Sequence, residues 1–133
     1  MITKKEILRL AAERNACKEG LEWYSKRPKS ALLTWEAIKD EYFWWVAFYI
    51  PEAIPYLQTL PEEIKESVLR ADSYSTRLNM VYIGYRLDVL KDDSDWLVRH
   101  EVAKQGYALE QLKDDPDEWV RDTARAKLKE MQQ

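Results

Sequence analysis

The stretch that decides the fold is KDDSDWLVRHEVAKQGYALEQLKDDPDEWVRDTARAKL, residues 91–128. It holds nearly the same phrase twice, LKDDSDWLVR and then LKDDPDEWVR. A shift of 22 residues lays Leu90 on Leu112, Lys91 on Lys113, Asp95 on Asp117, Val98 on Val120 and Arg99 on Arg121. Shifted the other way, DSYSTRLNMVYIGYRLDVL is a fainter copy: Arg77 matches Arg99, Gly84 matches Gly106, Tyr85 matches Tyr107, and Tyr74 stands where Trp96 does. The chain has only three glycines, and two of them fill the same slot. A fixed period of this length predicts a stacked helical architecture.

Each copy opens on a polar turn in which Asp93 or Asp115 is expected to cap the following helix. Pro116 suits a first helical position, and Asp115 with Glu118 has capping-box spacing. Val98 and Val102, then Val120, Ala124 and Leu128, recur at helical spacing on one face. Gly84 and Gly106 suit left-handed helix ends, and Leu87/Leu90 and Leu109/Leu112 give a short second helix its apolar edge. Two short helices with a half-buried face cannot stand alone, so such copies stack. The last copy has no such glycine after Ala124 and ends in KLKEMQQ, as a terminal cap should.

The first half reads differently. Residues 3–16 predict a helix with Thr3 as N-cap and Ile7, Leu10 and Ala11 as its stripe. Gly20 and Pro28 mark breaks, a second helix starts near Ser30, and a third carries the aromatic run before Pro51. Pro55 and Pro61 bound a connection, and residues 62–71 read as helical. The whole is expected to be one all-α domain over 1–133, with an aromatic-rich helical cap (1–60) and about three short hairpins (61–133).

Composition narrows the function. The formal net charge of −3 disfavours a nucleic-acid groove, which needs a basic face. One cysteine and one histidine leave no internal disulfide, no zinc site without carboxylates, and no marked nucleophile–base pair. The acidic runs lack calcium-loop spacing. The N-terminal MITKKEILRLAAERNA reads as amphipathic rather than as a signal peptide. The longest apolar run, residues 42–50, is far short of the ~20 residues of a membrane span. A cytoplasmic, cofactor-free, non-enzymatic protein is the expectation.

The pattern D-x-x-V-R followed by A-x-x-G and a leucine helix, as in Asp95–Tyr107, resembles the HEAT-like repeats of bacterial and phage proteins over about residues 68–133. Ala16–Trp23, Trp35 and Trp44–Ala47 are similar to a small cysteine–glycine–tryptophan helical module of uncharacterised phage proteins. The resemblance implies an architecture and a phage-like context. It points to an accessory protein that docks on a host protein, such as an anti-CRISPR or similar counter-defence inhibitor. The alternative it offers is a helical-repeat nucleic-acid binder like the HEAT-like alkylpurine DNA glycosylases.

Candidate residues follow from mismatch and recurrence. Trp96 has no aromatic counterpart at Glu118, and unmatched repeat positions tend to face outward, so Trp96 is an anchor candidate. Trp44 is a second, because Trp44 and Trp45 cannot both face one core stripe. His100, Arg99 and Tyr107 complete the set of partner-binding candidates. His100 also reads as a lone surface histidine. The series Arg77, Arg99, Arg121 reads either as a phosphate-binding ladder or as forked contacts to each unit's turn, and the accompanying aspartates favour the second. Cys17 is expected to be buried.

Overall fold

A computed structural model describes residues 3–26 and 49–132. Among the described residues every regular element is helical and there is no strand. The chain divides into two compact units, Met1–Ile83 and Gly84–Gln133.

In the first unit, α1 (Lys4–Glu13) starts where the Thr3 side chain accepts the Glu6 amide at 3.2 Å. It buries Ile7 and Ala11. Asn15 ends it in the left-handed region, at φ 60°. There Ala16 N donates to Ala11 O (3.0 Å) and Asn15 N to Ala12 O (3.2 Å), which uses two carbonyls the helix would otherwise orphan. Next comes α2 (Lys18–Ser25), packed on α1. Its N-cap is Cys17, whose Sγ accepts the Gly20 amide at 3.4 Å. Cys17 is exposed, against expectation, because a capping residue stands in extended backbone outside the helix body. Gly20 lies inside α2 and is buried rather than breaking the chain.

A 3-10 turn (Pro51–Ala53) leads into α3 (Ile54–Leu57), so one helical turn occupies the expected connection. Pro55 is tolerated there because the first turn of a helix needs no donor. Arg14 grips Glu52 through two bonds of 2.9 and 2.7 Å and donates to Tyr49 O at 2.7 Å. That fork holds the Glu52 carboxyl down at about 2, from an ordinary 4.5. Then α4 (Glu62–Leu69) packs on α5 (Tyr74–Ile83). Ile50, Leu57, Val68, Met80 and Val81 are fully buried.

The second unit contains α6 (Leu87–Leu90), α7 (Trp96–Lys104), α8 (Leu109–Leu112) and α9 (Glu118–Met131). α7 and α9 begin 22 residues apart, as do α6 and α8. Val98, Val102, Leu112, Val120 and Ala124 are fully buried, and α9 packs on α7 and α8. α7 closes at Gly106 (φ 81°), with Tyr107 N donating to Val102 O (3.3 Å) and Gly106 N to Ala103 O (2.9 Å). Ala108 then takes φ 55° before α8, as Arg86 takes 52° before α6.

The caps fall two residues later than expected. Asp95 accepts Leu97 N at 2.8 Å and Asp117 accepts Val120 N at 3.1 Å. Asp93 and Asp115 instead accept the backbone amides of Asp95 and Asp117, each at 2.9 Å. Each turn is therefore tied twice, and Pro116 sits outside the helix instead of at its first position.

Candidate functional site

Five residues were the sequence candidates, and four of them lie among the described residues. Trp44 lies outside them.

Trp96 opens α7 and is 42% exposed. One turn further along, the His100 ring meets the Trp96 ring nearly edge-on, with centroids 5.9 Å apart at 69°. That geometry sets the ring edge against the electron-rich face. His100 Nε2 lies 2.9 Å from Thr123 Oγ1 on α9, so this histidine is half-buried in the α7/α9 seam rather than free on the surface. Its Nδ1 is 3.8 Å from Glu101 Oε1.

Arg99 is absorbed into the scaffold. Its Nε and Nη2 clasp Asp115 at 2.8 and 3.1 Å, and Nη1 donates to Asp93 O at 2.8 Å. The Arg99 side chain is 16% exposed and that of Asp115 only 5%. The hydrogen bonds that Arg99 donates to Asp115 lead the causes that raise the guanidinium's pKa still higher, so it is permanently charged. Arg121 Nη1 donates to Asp115 O and Pro116 O, both at 2.9 Å. Arg77 Nη1 donates to Ala71 O at 2.7 Å and Asp72 O at 2.9 Å. All three arginines therefore bond carbonyls of the turn that precedes their own helix.

Tyr107, 40% exposed, follows Gly106 at the far end of α7. A nine-residue helix spans about 13 Å, so Tyr107 does not join Trp96. The candidates accordingly separate into an aromatic–imidazole pair at one end of α7, a tyrosine at the other, and an internal ion pair.

Trp119 was missed by the sequence reading and is 67% exposed, more than Trp96. The signal for it was an offset. Arg99 folds back to the turn before α7 and at the same time holds the turn before α9, so the N-terminal ends of the two helices lie together. The helices run side by side in one direction, with His100 facing Thr123, 23 residues on. One turn below that pair stand Trp96 and Trp119, also 23 apart. The period of 22 hid the match by a single residue.

Among the described residues no group of three or more His, Cys, Asp or Glu is placed to hold a metal, and no helix is long and apolar enough to cross a membrane. Comparison with family models, with curated proteins and with solved structures finds no match.

Proposed function

We propose that this chain is a non-enzymatic protein–protein interaction module, in which HEAT-like helical hairpins stack on an N-terminal aromatic-rich cap and present tryptophans to a partner protein. The observation that carries this reading is the exposure of Trp96 and Trp119 on a well-tied helical scaffold. Large aromatic rings left half-wet on rigid helices are the side chains that dominate protein interfaces. The even spacing of α6 to α9 and the repeated turn bonds support the stacked arrangement. The narrower reading, a phage or mobile-element accessory protein that inhibits a host protein in the manner of an anti-CRISPR, rests on the sequence resemblance. Nucleic-acid binding is the weaker alternative, because Arg77, Arg99 and Arg121 all spend donors on the protein's own turns.

Capture from host lysate tests the reading. The wild type is expected to retain a specific protein, and Trp96→Ala, Trp119→Ala or Trp44→Ala to lose it while keeping the wild-type circular dichroism spectrum. Capture of no specific protein across plausible hosts refutes it.

A further inference from the structure

The end of the second unit that carries the two tryptophans is also its most acidic. KDDSD (residues 91–95) and KDDPDE (113–118) hold seven carboxylates and two lysines. With Arg99 and Arg121 counted in, this end carries −3, equal to the formal net charge of the whole chain. All four cations there are committed. Lys91 bonds Gln111 at 2.8 Å and Asp92 at 3.2 Å, and Lys113 bonds Glu110 at 2.7 Å. Arg99 and Arg121 are folded into the turns. The charge of Arg125, the next cation along α9, is felt at Lys113. Asp95, Asp115 and Asp117 are used up as caps and in the Arg99 clasp. Asp114 and Glu118 are exposed and make no hydrogen bond or ion pair among the described residues, and Asp114 lies within the field of Lys113.

The ring area left open at 42% of Trp96 and 67% of Trp119 comes to under about 300 Å². A stable dimer needs about 800 Å² from each partner, so these rings alone do not make a self-association face. They do match a single extended side chain or a short peptide. Exposed aromatic rings at an end of net negative charge attract cations through both the ring quadrupole and the field.

We propose that the first turns of α7 and α9 dock a cationic peptide segment of the partner, with arginine or lysine side chains lying over Trp96 and Trp119 in the field of Asp114 and Glu118. This rests on the interaction reading above and specifies the chemistry of what is bound.

The probe is a twelve-residue peptide of alternating Arg and Ala, titrated into the full chain while tryptophan fluorescence is followed. A Glu/Ala peptide, a neutral Ser/Leu peptide and a single-stranded oligonucleotide serve as the other arms. The Arg/Ala peptide is expected to saturate the signal and to weaken as salt rises. Trp119→Ala is expected to weaken it about tenfold, and Asp114→Asn with Glu118→Gln by a similar factor, as loss of one stacked cation contact implies. Trp119→Phe keeps an aromatic face and is expected to retain most of the affinity, which separates loss of the ring from loss of the fold. Absence of Arg/Ala binding overturns the proposal. So does equal or tighter binding of any other arm, or Arg/Ala binding that the variants leave unchanged. A partner captured from lysate through Trp96 and Trp119 alongside a failed Arg/Ala titration sinks this inference alone. Saturable Arg/Ala binding with no captured partner sinks the interaction reading alone.

Discussion

Replacing Arg99 with Ala removes a side chain that makes three hydrogen bonds in the second unit. Three hydrogen bonds disappear: two to the Asp115 carboxylate and one to Asp93 O. Asp115 cannot escape to water, since its side chain is 5% exposed, and it keeps only the bond from Asp117 N at 2.9 Å. Breaking one side of a buried ion pair costs about 3–5 kcal/mol, because the remaining charge stays desolvated. The adjoining α9 N-terminus, whose dipole favours an anion, offsets part of this, so about 3 kcal/mol is expected. For a chain of this size that corresponds to a fall in Tm of roughly 10 °C. Urea unfolding followed by circular dichroism gives the free energy directly. Asp115→Ala leaves Arg99 able to swing outward, so it is expected to cost less than Arg99→Ala. Removing Arg99 in the Asp115→Ala background is then expected to cost little, with a coupling energy of about 2 kcal/mol. A loss below about 1 kcal/mol for Arg99→Ala, or a coupling near zero, would refute the view that this clasp ties α7 to the turn before α9.

Three further expectations concern the backbone and pH. Ala108 is held at φ 55°, where a Cβ is strained, so Ala108→Gly is expected to raise stability by about 0.5–1 kcal/mol. Gly106→Ala, at φ 81° with open space around the added Cβ, is expected to lower it by about 1–2 kcal/mol through backbone strain alone. Denaturation midpoints of the two variants check both signs. At the other end of the chain, the Arg14 fork holds Glu52 at about 2 when folded, against an ordinary 4.5. A depressed carboxyl stabilises the fold fully above its unfolded pKa, and that stabilisation is lost as pH falls toward the folded value. The pH-dependent part of the stability gap between wild type and Arg14→Ala should therefore be full above about pH 5 and be lost as pH falls through about 2. A gap that does not narrow over this range counts against the assignment. The lost bond to Tyr49 O does not titrate and leaves a constant difference.

Periodicity alone specified the helices of the second unit. Apolar residues at i and i+4, and glycines at matching slots, prescribe short helices with left-handed ends whatever they pack against. Val98, Val102, Val120 and Ala124 are accordingly fully buried. Which aspartate caps, whether Cys17 is exposed, and what His100 faces were not legible, because each depends on where a backbone amide or a second helix arrives. The arginine series was half legible. Its recurrence with aspartates pointed to forked contacts, but the Asp115 partner of Arg99 comes from the following turn.

The two tryptophans state the division most clearly. Sequence marked Trp96 because its own repeat did not match it, a property of the chain in one dimension. Trp119 becomes its counterpart on the next helix through the 23-residue offset that sets His100 against Thr123. A linear period of 22 cannot express that offset, because side-by-side helices mesh between residues and not at equal positions. Local pattern determined which segments are helical and which residues turn inward. Only the packing of α7 on α9 decided that the repeat's odd residues fall in the first turns of two packed helices at one acidic end.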